Sequence, residues 1–378
     1  METRLEVREL YTPWIRIGRA TIVIEDGIIK RIVRGWIGGE NYREYIAAPG
    51  FVDTHIHGVR GIELYSGRIS DLERASRELV RYGVTSFVPT AVTLPHDKTI
   101  EFLISVHHAA ENPPSDGARV MGAYLEGPFI NPEARGAQNP EYIREPSIDE
   151  MRQFIDVAGD ALKLIAVAPE VRGALDLIAY ASASGIHVAV GHTRASYEQV
   201  VDALLAGADR ATHLFNAMTR FHHREPGAAV ALLELEEFFV EVIADMIHLH
   251  PATVELVYRV AGPRRTVLVT DAISAAGLSD GVYQLGGLKV IVEKGVARLE
   301  NGALAGSTLT LDRAVRNCVS LGIPLSHALA MASWTPARSI GEQRAGCLRP
   351  GCVADLVLLD SELKVAATIV RGEEVFSR

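Results

Sequence analysis

With 378 residues, 48% of them hydrophobic, the chain can bury one large core and a smaller companion, which excludes a disordered or fibrous protein. A formal net charge of −9 without a basic cluster excludes a general nucleic-acid surface and leaves room for a local anion site. The first residues are charged and no uninterrupted apolar run reaches membrane-spanning length, so a cytoplasmic protein with neither nucleic-acid nor membrane partners is expected.

Residues 1–48 hold short strand-like pieces at 14–18 and 20–33, the latter broken hairpin-fashion at Asp26-Gly27. The C-terminal residues 345–378 repeat that style. Neither end has enough strand to bury a sheet face alone, so the two are expected to pair into one discontinuous β-sandwich domain. Between them, residues 49–344 alternate short apolar runs with helical patterns. The runs fall at 50–57, 85–90, 120–126, 164–169, 186–192, 211–215, 240–248 and 267–271. Helix-like segments follow most of them, such as 70–82 stopped by Gly83 and 196–206 stopped by Gly207; the one after the sixth run is poorly marked. The pattern predicts an α/β chain built as a (β/α)8 TIM-like barrel, with an open doubly wound sheet as the weaker option. A Gly-rich stretch at 277–306 predicts hairpins inserted after the eighth strand.

The first barrel run ends in Asp53-Thr54-His55-Ile56-His57. Strict strand alternation would set Asp53, His55 and His57 on one side, letting two imidazoles converge on one divalent ion. A barrel gathers its active site at the C-terminal strand ends, and further ionisable residues fall there. Glu126 closes the third run, His192 the fifth and Asp271 the eighth, while His213 is read as early in the sixth. Such residues at the ends of apolar strands are expensive unless paired or bound to metal. Cys318, Cys347 and Cys352 make no CxxC pair and are read as core or loop thiols without chemistry.

The chain resembles the amidohydrolase superfamily, and within it the N-acetylglucosamine-6-phosphate deacetylase family. The resemblance rests on PGFVDTHIHG at 49–58, LEGPFINPEARGAQNP at 125–140, VGHTRAS at 190–196, ATHLFNAM at 211–218, HREPG at 223–227, IADMIHLHP at 243–251, VTDAISAAG at 269–277 and GCLRPGCVADLVLLD at 346–360. It implies a metal-dependent hydrolase that removes the acetyl group of a phosphosugar, with a divalent cofactor of one or two ions: zinc first, then iron, cobalt, manganese or nickel. It implies that Glu126, His192 and His213 form the principal metal site, that His55 and His57 hold a second ion, and that Asp271 is the catalytic acid/base. Asn216, Ala217, Arg224 and His248 match substrate-contacting positions, with Arg224 donated to the neighbouring site of a homodimer. At Gln138 the family usually carries histidine; the glutamine can still donate a hydrogen bond to substrate but cannot become cationic. The rivals are an N-acetylgalactosamine-6-phosphate deacetylase, a deaminase or cyclic amidase on the same ligands, or a non-catalytic barrel that serves assembly.

Overall fold

The computed structural model describes residues 2–378. Its centre is a parallel sheet of Phe51–Ile56, Val84–Ala91, a third stave split into Arg119–Val120 and Ala123–Leu125, then Leu162–Val167, His187–Val190, Arg210–Ala211, Phe239–Val242 and Thr266–Leu268. Each stave pairs in parallel with the next. A parallel bridge between Ile56 and Ala272, just past the last stave, closes the barrel. A helix follows every stave, from Ile69–Leu79 after the first to Leu311–Ser320 after the eighth.

Local chemistry explains the element ends. Ile69–Leu79 tightens into a 3-10 turn at Val80–Tyr82 and stops at left-handed Gly83. Tyr197–Ala206 starts from a capping box between Ser196 and Gln199 and stops at left-handed Gly207. The helix after the sixth stave, weakly marked in the sequence, is Gly227–Glu234. The sixth stave itself is shorter than its apolar run, ending at Ala211, so His213 lies beyond the strand rather than early in it. The seventh likewise ends at Val242, leaving 243–250 as loop. The expected hairpins after the eighth stave form an antiparallel sheet of Gly281–Leu285, Leu288–Glu293 and Val296–Leu299.

The two chain ends join in one eight-stranded sheet. Its seam is the antiparallel pairing of Leu356–Leu359 with Glu40–Pro49. Asp26 and Gly27, both with positive φ, turn the hairpin between Ala20–Glu25 and Ile28–Arg34. Alternation sets the two faces: Leu5, Val7, Ile22, Ile24, Leu356 and Leu358 close on the sheet's own core, whereas Val357, Leu359 and Val365 join the barrel core. Cys347 and Cys352 form a disulfide, contrary to the expected free thiols; the turn through Pro350 and Gly351 brings their Cα atoms to 6.2 Å across a spacing longer than CxxC. Cys318 remains a buried thiol.

Strict alternation fails in the first stave. Its register against the second slips between Asp53 and Ile56. Below the slip, Val52 packs with Ala337 and Ala345, and Thr54 receives a hydrogen bond from Arg210 of the sixth stave. Asp53 turns to the neighbouring eighth stave, where the Thr270 hydroxyl donates to it at 2.6 Å. Above the slip, His55 and His57 face the barrel axis while Ile56 joins the outer core. A β-bulge accounts for this change of parity, so Asp53 does not share a side with the histidines.

Candidate metal centre and active site

Two groups of three side chains, His55, His57 with Asp271 and Glu126, His192 with His213, meet at the C-terminal mouth of the barrel. All are buried. Glu126 joins the groups: its Oε1 lies 2.9 Å from His213 Nε2, 3.2 Å from His192 Nε2 and 3.3 Å from His55 Nε2, and its Oε2 lies 3.2 Å from His57 Nε2. Asp271 Oδ1 stands 3.1 Å from His57 Nε2 and 3.6 Å from His55 Nε2.

These separations fit a metal. The Nε2 atoms of His192 and His213 are 3.1 Å apart, and those of His55 and His57 3.3 Å. Ligand atoms placed tetrahedrally about 2.0 to 2.1 Å from one ion stand about 3.3 Å from each other. The far ring nitrogens agree, because His55 Nδ1–H donates to Glu241 at 2.8 Å, His57 Nδ1–H to the Thr90 carbonyl at 3.0 Å and His192 Nδ1–H to the Ala134 carbonyl at 3.1 Å. A histidine that spends its Nδ1 proton this way turns the Nε2 lone pair inward, as metal-ligating imidazoles do. His213 Nδ1 alone is buried without a partner among the described residues.

The backbone is bent to make this convergence. His192, His213 and Asp271 all have positive φ, 47°, 26° and 48°, a region that non-glycine residues rarely occupy and that collects at functional sites. Gly127, at φ 120° after Glu126, is required by close approach, since a Cβ there would stand 2.2 Å from Thr93 Oγ1.

Burial alone would raise the Glu126 carboxyl, but His55, His192 and His213 around it hold it well below the usual range. Asp271 is lowered in the same way, against burial, by His55 and His57. The imidazoles move oppositely. Burial works against the charged His57 ring, yet its contacts with Asp271 and Glu126 push it up to about 9. Against the same burial, Glu241, Glu126 and Asp271 hold His55 well above its ordinary value.

The other expected site residues divide. Gln138, Asn216, Ala217 and His248 line a cavity of about 220 Å³ together with the ligand side chains. His248 Nδ1–H donates to Asp245 at 2.8 Å. Gln138 is pinned at both ends: its Oε1 accepts from the Thr93 N–H at 2.7 Å and its Nε2 donates to Glu126 Oε2 at 2.6 Å. One of its N–H bonds is therefore committed to a ligand carboxylate. Arg224 lies apart, exposed, with Nη1 2.9 Å from His223 Nε2, lining a separate cavity beside Arg194, Arg220 and His222. Reading the sequence missed Glu241 and Arg210, a fully buried pair 2.8 Å apart behind His55. A glutamate between Val240 and Val242, in a run otherwise assigned to core, was the available signal.

A profile of the amidohydrolase family matches residues 46–375. An N-acetylglucosamine-6-phosphate deacetylase from Vibrio furnissii is 42% identical over 330 residues, which cover 87% of this chain and 82% of the relative. An N-acetylgalactosamine-6-phosphate deacetylase from Escherichia coli O157:H7 is 38% identical over 371 residues, 98% of each chain. A mutant N-acetyl-D-glucosamine-6-phosphate deacetylase from Mycobacterium smegmatis, solved in complex with N-acetyl-D-glucosamine-6-phosphate, superposes with a TM-score of 0.94 at 34% identity over 100% of both chains.

Proposed function

Because the chain belongs to the amidohydrolase family, we propose that it hydrolyses the acetamide of N-acetylglucosamine 6-phosphate to glucosamine 6-phosphate and acetate. The observation that carries this reading is the buried pair of ligand groups sharing Glu126, with Asp271 beside them on the wall of one cavity. Glu126, His192 and His213 would hold the principal divalent ion, zinc before iron, cobalt, manganese or nickel, and His55 with His57 a second. An ion bound there supplies a Lewis acid for the acetamide carbonyl and lowers the pKa of water to about 7.

Asp271, kept ionised by its imidazole neighbours, takes the proton of the attacking water. It returns that proton to the departing amine, which would otherwise leave as a very poor amide anion. Gln138 has one N–H spent on Glu126, so its remaining amide hydrogen is what it can offer the substrate. His248, with Nδ1–H fixed by Asp245, keeps Nε2 as an acceptor for a sugar hydroxyl. Asn216 and Ala217 complete that wall. Arg224 lines a cavity other than the one holding the ligand groups, which supports its service to the partner's site in a homodimer. Its planar fork suits bidentate binding of the phosphate.

The test is acetate release from N-acetylglucosamine 6-phosphate, N-acetylgalactosamine 6-phosphate and unphosphorylated N-acetylglucosamine after reconstitution with each divalent metal. Highest kcat/KM on the first is expected. Preference for the galactosamine epimer would reassign the substrate, and no acetate from any metal-loaded sample would overturn the activity.

A further inference from the structure

We propose that Glu241 is a positioning residue that sets both ligand groups at once, with Arg210 fixing its charge. The inference rests on the metal-centre reading above. Glu241 is fully buried in the seventh stave, and its Oε2 accepts two hydrogen bonds, from His55 Nδ1–H at 2.8 Å and from the backbone N–H of His213 at 3.0 Å. One carboxylate oxygen thus touches a ligand of each group. The other oxygen accepts from Arg210 Nε at 2.8 Å, and the remaining guanidinium nitrogens donate to the Thr54 and Ser339 hydroxyls. Glu241 and Arg210 stand behind the ligands and off the cavity wall, so their effect on chemistry passes through His55 and His213.

Stability alone does not call for this pair, because a buried ion pair can often be replaced by apolar side chains at no loss. Its two inward bonds do specific work. The first fixes the His55 tautomer, turning Nε2 toward Glu126 and His57. The second holds the N–H of a residue whose φ of 26° leaves its backbone in a strained region. Loss of a single histidine disturbs one group, whereas loss of this acceptor releases a histidine from each.

Two double variants on one background separate positioning from packing. Arg210→Met/Glu241→Gln removes both charges and keeps an amide oxygen facing His55 and His213. Arg210→Met/Glu241→Leu removes the charges and the acceptor; Arg210→Met/Glu241→Met stands in if leucine does not fold. Zinc affinity is read by chelator competition and ligand geometry by the visible spectrum of the cobalt(II) form. The leucine pair is expected to bind each zinc equivalent about 10- to 100-fold more weakly with a shifted cobalt spectrum, and the glutamine pair to stay within about threefold of wild type. KM should hold within about twofold in both while kcat follows ion occupancy. Equal affinities in the two pairs, or weakening that spares the Glu126 group, overturn the inference. A wild-type chain that binds no zinc overturns the metal reading instead.

Discussion

The two ligand groups face each other across Glu126 but are held by different means. His55 and His57 sit at the end of a stave, their outer nitrogens anchored to a buried carboxylate and a strand carbonyl. His192 and His213 lie beyond their staves on positive-φ backbone, one anchored to the carbonyl of Ala134 and the other without an Nδ1 partner among the described residues. His55 and His57 are set by the barrel wall, whereas His192 and His213 lie on loops that also line the cavity, with Glu241 of the wall holding the His213 N–H.

The largest effect expected from breaking this contrast is at His192. His192→Ala should lose the principal ion and bring turnover to background, whereas His55→Ala should lose at most the second ion and keep partial activity; equal loss of metal and activity would abolish the distinction. Asp271→Asn comes next. It should keep metal and substrate binding but lower kcat at least about 100-fold, because the amide cannot accept the proton. Near wild-type turnover in the metal-loaded variant would remove Asp271 from that role.

Arg224→Ala tests a contribution from outside both groups. Loss of a charge-assisted phosphate contact should cost about 2 to 4 kcal/mol in kcat/KM, chiefly through KM, with little change toward unphosphorylated substrate. Mixing Arg224→Ala with Asp271→Asn subunits should restore activity in heterodimers, where one site has both an intact Asp271 and a donated Arg224. Subunit exchange without recovery would return Arg224 to its own chain.

A smaller effect sharpens the comparison through pH. His57, ordinarily near 6.5, is pushed up to about 9, so in metal-free protein its contribution to stability is complete below pH 6.5 and lost as pH rises through about 9. Metal needs the same Nε2 without its proton. Zinc affinity should therefore rise across that window, by up to about tenfold per unit for each proton displaced, while this group's share of metal-free stability declines. An affinity that stays flat from pH 6.5 to 9 would mean that no proton is displaced. The smallest effect lies far from both groups. Replacing Cys347 and Cys352 with serine opens a short loop and should cost about 2 kcal/mol or less, read as a lower Tm with kcat unchanged.

Much of the barrel was legible because its signals are local. Apolar runs, Gly83 and Gly207 as helix stops, and ionisable residues at strand ends are each visible within a few positions. What stayed hidden depends on pairing over distance. Glu241 meets Arg210 only once neighbouring staves align, and Gln138 meets Glu126 and Thr93 only once two loops converge. The sixth and seventh runs overstated their strands because apolar residues continue into the loops that carry His213 and His248.

The register slip in the first stave acts as a phase reset on a single strand. Positions before it are written for the floor of the barrel, and positions after it for the mouth. The extra residue between Asp53 and Ile56 lets Thr54 and His55, neighbours in sequence, both face inward. Thr54 meets Arg210 on the floor while His55, the next residue, already turns its ring to the mouth. One residue of added length thus lets a single strand supply both the packing beneath the centre and two of the imidazoles within it.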